Sequence, residues 1–83
     1  MLKSNLFLLY NDIMNTKFSD ILSEFLKGEG MKQKDFAYKI GVSPSQVSEW
    51  LKDKATPNYH TLKRICLAFN ISADYFLGIT DGY

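Results

Sequence analysis

Apolar residues recur three or four positions apart along most of the chain, a spacing that places them on one side of an α-helix. The first stripe of this kind consists of Phe18, Ile21, Leu22, Phe25 and Leu26. It predicts an amphipathic helix that closes at Gly28 and Gly30. A second, shorter helix is predicted within residues 31–41, with Gly41 as its stop. Its apolar side consists of Phe36, Ala37 and Ile40.

The stretch GVSPSQVSEWL, residues 41–51, carries a helix-start signal. Ser43 suits the N-cap, and Pro44 suits the first helical position, where the N–H that proline lacks has no partner in any case. Gln46 completes the Ser-x-x-Gln spacing of a capping box. A third helix spanning residues 43–52 is therefore predicted.

The third helix has an apolar and a polar side when its residues are placed about 100° apart around the axis. The apolar side consists of Val47, Trp50 and Leu51. The opposite side consists of Ser45, Glu49 and Lys52, flanked by Gln46 and Ser48. Because the outer side is polar and mostly short-chained, the pattern indicates that another molecule comes close to it.

Two further helices are predicted after the loop KDKATPN. Asn58 is suited to the N-cap of the first, whose apolar positions are Leu62, Ile65, Cys66 and Phe69. Ser72 is predicted to cap a short last helix, ADYFL, which ends at Gly78. With five helical segments and no two-residue alternation, the sequence predicts an all-α fold.

Length and composition fit one small globular domain. The chain has 83 residues, 46% apolar and 23% charged, and a chain of this size has apolar material for a single core. Its one cysteine, Cys66, lies among apolar neighbours and is interpreted as a core thiol. The amino end fits neither a signal peptide nor a membrane span, which predicts a cytoplasmic location without membrane association.

Residues 31–52 have the signature of a helix-turn-helix, in which two short helices are joined by a tight turn. Such a unit needs a small residue in its first helix, a residue able to adopt positive φ in the turn, and a branched apolar residue in its second helix. Ala37, Gly41 and Val47 occupy these three places.

Residues 31–79 resemble the lambda-repressor-like, or XRE-family, helix-turn-helix domain. The segment QKDFAYKIGVSPSQVSEWLK is similar to that family's Gln-x-x-Leu-Ala-x-x-x-Gly-(Val/Ile)-Ser core, and TPNYHTLKRICLAFNISADYFLG is similar to its proline loop and last two helices. The resemblance implies a compact five-helix fold and a sequence-specific DNA-binding function, usually that of a transcriptional regulator. We expect residues 15–83 to form this domain and residues 1–14 to form an N-terminal extension.

The candidates for contacts with DNA bases are Ser45, Gln46 and Glu49. A helix in the major groove reads base edges with the residues of its first turns, where small side chains permit close approach. Gln46 can make the bidentate amide contact that adenine favours. Glu49 can accept from a cytosine amino group, or it can instead pair with Lys52 or Lys54.

The candidates for contacts with DNA phosphates are Gln33, Ser43, Lys52, Lys54 and Asn58. Gln33 matches the glutamine with which the family clamps a backbone phosphate. The start of the third helix, at Ser43, favours an anion through the helix dipole and free N–H groups. The net charge is only +1, but residues 31–64 hold seven basic residues against three acidic ones. This local excess is what docking onto phosphates requires.

No catalytic, metal or cofactor site is predicted. His60 has no Cys, Asp or Glu at the spacing of zinc ligands. The serines 43, 45 and 48 are explained by capping and surface roles, and none has a base and an orienting partner in view. Six aromatic residues fall on predicted core faces, whereas a platform for single strands needs them exposed in a row; they are Phe18, Phe25, Phe36, Trp50, Phe69 and Phe76. The protein is therefore predicted not to be an enzyme.

The sequence thus predicts a repressor-type regulator that binds a palindromic operator in double-stranded DNA as a homodimer. Apolar residues in excess of one core lie at 6–10 and at the carboxyl end, and our hypothesis places the dimer interface at the carboxyl end. The residues concerned there are Tyr75, Phe76, Leu77, Ile79 and Tyr83. A regulatory protein partner is a further hypothesis. The alternative is a protein-interaction module on the same fold without DNA binding, which the weak net charge, Pro44 and Glu49 favour.

Overall fold

The computed structural model describes residues 17–79, and this part of the chain contains five α-helices. They are α1 (Phe18–Glu29), α2 (Gln33–Ile40), α3 (Pro44–Leu51), α4 (Tyr59–Phe69) and α5 (Ala73–Phe76). Residues 17–79 form no strand, and the all-α prediction is confirmed. The predicted boundary at residues 14 and 15, the apolar segment at 6–10 and Tyr83 lie outside the described residues. None of the helices in residues 17–79 is long and apolar enough to cross a membrane.

Three helices end at a residue in the left-handed backbone conformation. These residues are Gly30 after α1, with φ 62°, Gly41 after α2, with φ 74°, and Asn70 after α4, with φ 54°. Such a residue turns the chain out of the helix while its N–H still bonds a carbonyl of the last turn. Gly28 was predicted to belong to the end of the first helix but lies inside α1, because the turn is made by Gly30.

Side chains stabilise the starts of α3 and α4. Ser43 and Gln46 form the predicted capping box, and Pro44 is the first residue of α3. At the start of α4, the N–H of Thr61 donates to Asn58 Oδ1 at 2.9 Å, which confirms Asn58 as the N-cap. Ser72 occupies the predicted N-cap position of α5, but its side chain accepts no hydrogen bond there.

The two helices of the helix-turn-helix meet through small and branched residues, as predicted. Ala37 on α2 and Val47 on α3 are both fully buried. Gly41 supplies the positive φ of the turn, and the N–H of Val42 donates to the Ala37 carbonyl at 3.0 Å. α3 packs against both α1 and α2, so its inner side is fixed by two neighbouring helices.

Aromatic rings make up much of the core. The ring of Phe25 lies 5.3 Å from that of Phe69 and 5.5 Å from that of Phe76. Phe36 stacks on Phe69 with ring centroids 5.2 Å apart and planes 9° apart. Of the residues predicted on core faces, five are only partly buried and cover the edge of the cluster, namely Phe18, Leu51, Leu62, Cys66 and Phe69. The predicted packing of these phenylalanines and of Trp50 in or against the core is thus confirmed.

Candidate nucleic-acid interface

α3 turns its apolar side inward and its polar side to solvent. Val47 is fully buried and Trp50 is 4% exposed, and the Trp50 ring meets the ring of Phe18 edge-on at 6.0 Å. Ser45, Gln46 and Glu49 are all exposed. The three predicted base-contacting side chains therefore lie on the accessible surface of one helix, held in place from the opposite side.

The first turn of α3 has few free N–H groups. The N–H of Gln46 donates to Ser43 Oγ at 3.2 Å, and the N–H of Ser43 donates to Gln46 Oε1 at 3.2 Å. Pro44 has no N–H. The N–H of Ser45 is consequently the one backbone N–H of residues 43–46 without a partner in residues 17–79. An anion at this helix start would meet that single N–H together with the helix dipole.

Gln46 has two predicted roles, and the structure shows one of them. Its amide oxygen is engaged in the capping box, whereas its amide nitrogen makes no hydrogen bond within residues 17–79. The bidentate adenine contact predicted from the sequence would use both the oxygen and the nitrogen. The capping box therefore already engages the amide oxygen, one of the two Gln46 atoms that a bidentate contact with adenine would use.

Glu49 stands free on the outer side of α3. It forms no ion pair with Lys52 or Lys54 in the described part of the chain, so the pairing considered from the sequence is absent. Gln46 and Glu49 line the same groove, whose far side is formed by Thr56 and Asn58 of the segment leading into α4. The carboxylate is thus available to an external donor.

The predicted phosphate-contacting residues lie at the ends of helices and in the loop after α3. Gln33 is the first residue of α2, Lys52 is the C-cap of α3 and Asn58 is the N-cap of α4. All three are exposed, as is Lys54 in the loop. The Asn58 oxygen accepts from Thr61, so its amide nitrogen is the part left for an external acceptor.

Two of the seven basic residues in 31–64 contact other parts of the protein. Arg64 Nη1 donates to the carbonyl of Ile40 at 3.1 Å, at the C-terminal end of α2. Lys39 Nζ lies 4.8 Å from the centre of the Phe69 ring, a favourable cation–π arrangement. Sequence reasoning missed both roles, because each partner lies far away along the chain. The exposed lysines that remain are Lys32, Lys34, Lys52, Lys54 and Lys63.

One acidic residue near the interface is partly neutralised. Asp53 follows α3 with φ 59°, and its carboxylate lies 3.5 Å from Lys17 Nζ. Both side chains are substantially exposed, so the pair adds little to stability. Lys17 thereby places a compensating positive charge beside Asp53, which lies between Lys52 and Lys54 in the sequence.

The other chemically notable groups show no site. Cys66 is partly buried against the core, and burial raises the pKa of its thiol, which disfavours the reactive thiolate. His60 is exposed on α4, with its ring 5.5 Å from that of Tyr59. No three His, Cys, Asp or Glu residues between 17 and 79 lie close enough together to hold a metal ion.

The fold and this exposed helix define a helix-turn-helix protein of the five-helix type. The helix-turn-helix family model HTH_3 matches residues 22–76, from within α1 to the end of α5. The chain belongs to this XRE or lambda-repressor-like family, and membership supports a DNA-binding function of the transcription-regulator kind. Neither the curated proteins nor the solved structures compared with the chain gave a significant match.

Proposed function

We propose that the protein is a repressor that binds an operator in double-stranded DNA through α3 placed in the major groove. The observation that carries the proposal is the polar, exposed outer side of α3, which is opposed to the buried Val47 and Trp50. A rigidly supported helix with short polar side chains in its first turns is suited to approach base edges. Residues 15–83 are the proposed DNA-binding domain, with residues 1–14 as an extension.

The proposed contacts divide into base reading and backbone positioning. Ser45, Gln46 and Glu49 face the bases. The phosphate contacts come from Gln33, Ser43, Lys52, Lys54 and Asn58. The latter set lies at the start of α2, at the start of α3 and along the segment from α3 to α4, so phosphates on both sides of the inserted helix would be held.

Two copies of the protein are proposed to bind a palindromic operator. Leu77 and Ile79 at the carboxyl end are 52% and 53% exposed, which supports a two-fold interface at that end. Such a dimer would place two α3 helices about 34 Å apart, one turn of DNA. The operator would then consist of two half-sites related by symmetry.

The experiment that tests the function is selection of binding sites from random duplex DNA, followed by titration of the best site at two salt concentrations. We expect an enriched palindrome whose binding weakens steeply with salt, because phosphate contacts release counterions. On that site, Lys52→Ala should weaken all sequences alike and lower the salt slope by about 1, whereas Gln46→Ala should relax the preference at one base position by about 1–3 kcal/mol.

If site selection enriches no sequence and binding does not depend on salt, the protein-interaction module is favoured instead. Three large side chains on the outer sides of α2 and α4 are exposed, namely Tyr38 at 89%, Tyr59 at 72% and Leu67 at 73%. These residues, together with the unpaired Glu49, are the features that support a protein partner. Absence of both sequence enrichment and salt-dependent binding would reject the repressor proposal. Equal effects of the Lys52 and Gln46 variants on every sequence would reject base reading by α3.

A further inference from the structure

The side chain of Gln46 is oriented by its own helix before any DNA is present. Its Oε1 accepts from the backbone N–H of Ser43 at 3.2 Å, and its backbone N–H donates to Ser43 Oγ at the same distance. The orientation of the amide follows from this partner. With the amide turned over, the NH₂ group would face the N–H of Ser43, and two donors would oppose each other.

Adenine and guanine make different demands on such an amide. Adenine presents one acceptor, N7, and one donor, the N6 amino group, so bidentate reading needs both the oxygen and the nitrogen of the glutamine. Guanine presents two acceptors, N7 and O6. An amide whose oxygen is turned toward the start of its own helix, and whose NH₂ group is exposed, complements guanine. Against adenine the same NH₂ group would meet the N6 amino group.

Glu49 supplies a hydrogen-bond acceptor beside the donor of Gln46. It lies on the outer side of α3 one turn after Gln46, lines the same groove and has no ion-pair partner in residues 17–79. Its carboxylate accepts hydrogen bonds only. In a G·C pair the acceptors of guanine lie beside the amino donor of cytosine N4 in the major groove. A donor from Gln46 and an acceptor from Glu49 therefore match the two halves of one pair.

We propose that Gln46 reads guanine through its amide nitrogen while keeping its capping bond to Ser43, and that Glu49 accepts from the paired cytosine. The proposal rests on the proposed operator binding and specifies its sequence. It replaces the adenine contact expected from the residue type alone. Retaining the capping bond leaves the start of α3 intact when DNA binds, whereas adenine reading would turn the oxygen away from Ser43.

The test uses the full chain, the operator selected by the wild-type protein, and two variants that separate donating from accepting. Gln46→Lys can donate but cannot accept, and Gln46→Glu can accept and so keeps the bond to Ser43 but cannot donate. Affinity is measured for the operator and for versions with each base pair changed. The ratio of affinities between sequences is the readout, because a uniform effect of the new charge cancels in it.

We expect the base pair that responds to residue 46 to be G·C, with guanine preferred by the wild-type protein. Gln46→Lys should keep that preference, and Gln46→Glu should lose it by about tenfold or more, the usual range for one good base contact. Glu49→Gln, which retains an acceptor, should disturb the same pair less than Glu49→Ala. Thermal unfolding of Gln46→Glu should match the wild type, since its cap is preserved.

Selection of adenine or thymine at the responsive position, or conversion of an adenine preference to guanine by Gln46→Lys, would overturn the assignment. So would the absence of any position that responds to residue 46. These outcomes leave operator binding itself in place. A wild-type protein that selects no sequence and shows no salt-dependent binding to DNA would instead reject the proposed function.

Discussion

At the scale of single residues, Arg64 shows how a charge that looks available for DNA is used in the fold. Its guanidinium reaches across 24 positions of sequence to the carbonyl of Ile40, one of the last carbonyls of α2, which have no partner within the helix. A cation at the C-terminal end also complements the helix dipole. Arg64 therefore holds α4 against the turn of the helix-turn-helix.

Replacing this guanidinium should weaken the fold. Arg64→Met keeps most of the aliphatic stem but removes the charged hydrogen bond, and we expect the free energy of unfolding to fall by about 1 kcal/mol. Lys63→Met is the matched control, since Lys63 is the exposed neighbour and has no hydrogen bond or ion pair within residues 17–79. Urea unfolding of both variants without DNA measures the difference. Equal stability of the two variants would remove the structural role assigned to Arg64.

At the scale of helices, the starts of α3 and α5 use the same residue type in different ways. Both have serine at the N-cap. The Ser43 side chain accepts from the N–H of Gln46, while the Ser72 side chain accepts no capping bond. The hydroxyl at residue 43 satisfies one of the N–H groups that a helix start leaves without an intrahelical partner.

The two serines should therefore differ when mutated. Ser43→Ala removes a formed cap and should lower the free energy of unfolding by about 1 kcal/mol, whereas Ser72→Ala should change it by less than about 0.5 kcal/mol. Thermal or urea unfolding without DNA keeps the proposed phosphate contact of Ser43 out of the measurement. If Ser72→Ala is as destabilising as Ser43→Ala, the capping hydrogen bond of Ser43 does not contribute the stability assigned to it.

Local pattern was sufficient to predict the helices and the bonded caps at Ser43 and Asn58, because the apolar spacing and the Ser-x-x-Gln signal act within a few residues. It misplaced Gly28 at a helix end and predicted a capping role for Ser72 that its side chain does not fulfil. It failed where partners are distant, as with Arg64 and the Ile40 carbonyl, or Lys39 and the Phe69 ring. Gln46 was predicted both to cap and to read a base, since residue type alone does not say which of its atoms is already engaged. The base and phosphate contacts themselves remain predictions.

At the scale of the whole molecule, charge and apolar surface are distributed unevenly. Basic residues exceed acidic ones in residues 31–64, and acidic residues exceed basic ones in the rest. Exposed apolar side chains at the carboxyl end, Leu77 and Ile79, lie outside the basic stretch. This division is compatible with the proposal that the basic stretch binds DNA and the carboxyl end binds a second copy.

A charge at the carboxyl end should weaken the proposed dimer. We expect Ile79→Asp to raise the dissociation constant of the dimer at least about tenfold, because a carboxylate would be buried in an apolar interface. Leu67→Asp is the control, since Leu67 is an exposed apolar residue of α4. Size-exclusion chromatography with light scattering over a range of concentrations measures both. A wild-type protein that stays monomeric at high concentration, with and without DNA, would refute the dimer.

The position of Trp50 gives the molecule a built-in optical reporter. It is the single tryptophan of the chain, and its indole is 4% exposed on the inner side of α3, edge-on to Phe18. Its fluorescence therefore follows the apolar surroundings of the helix that is proposed to read DNA, and the edge of its side chain also borders the groove lined by Gln46 and Glu49. Loss of packing behind this helix would be visible in unlabelled protein.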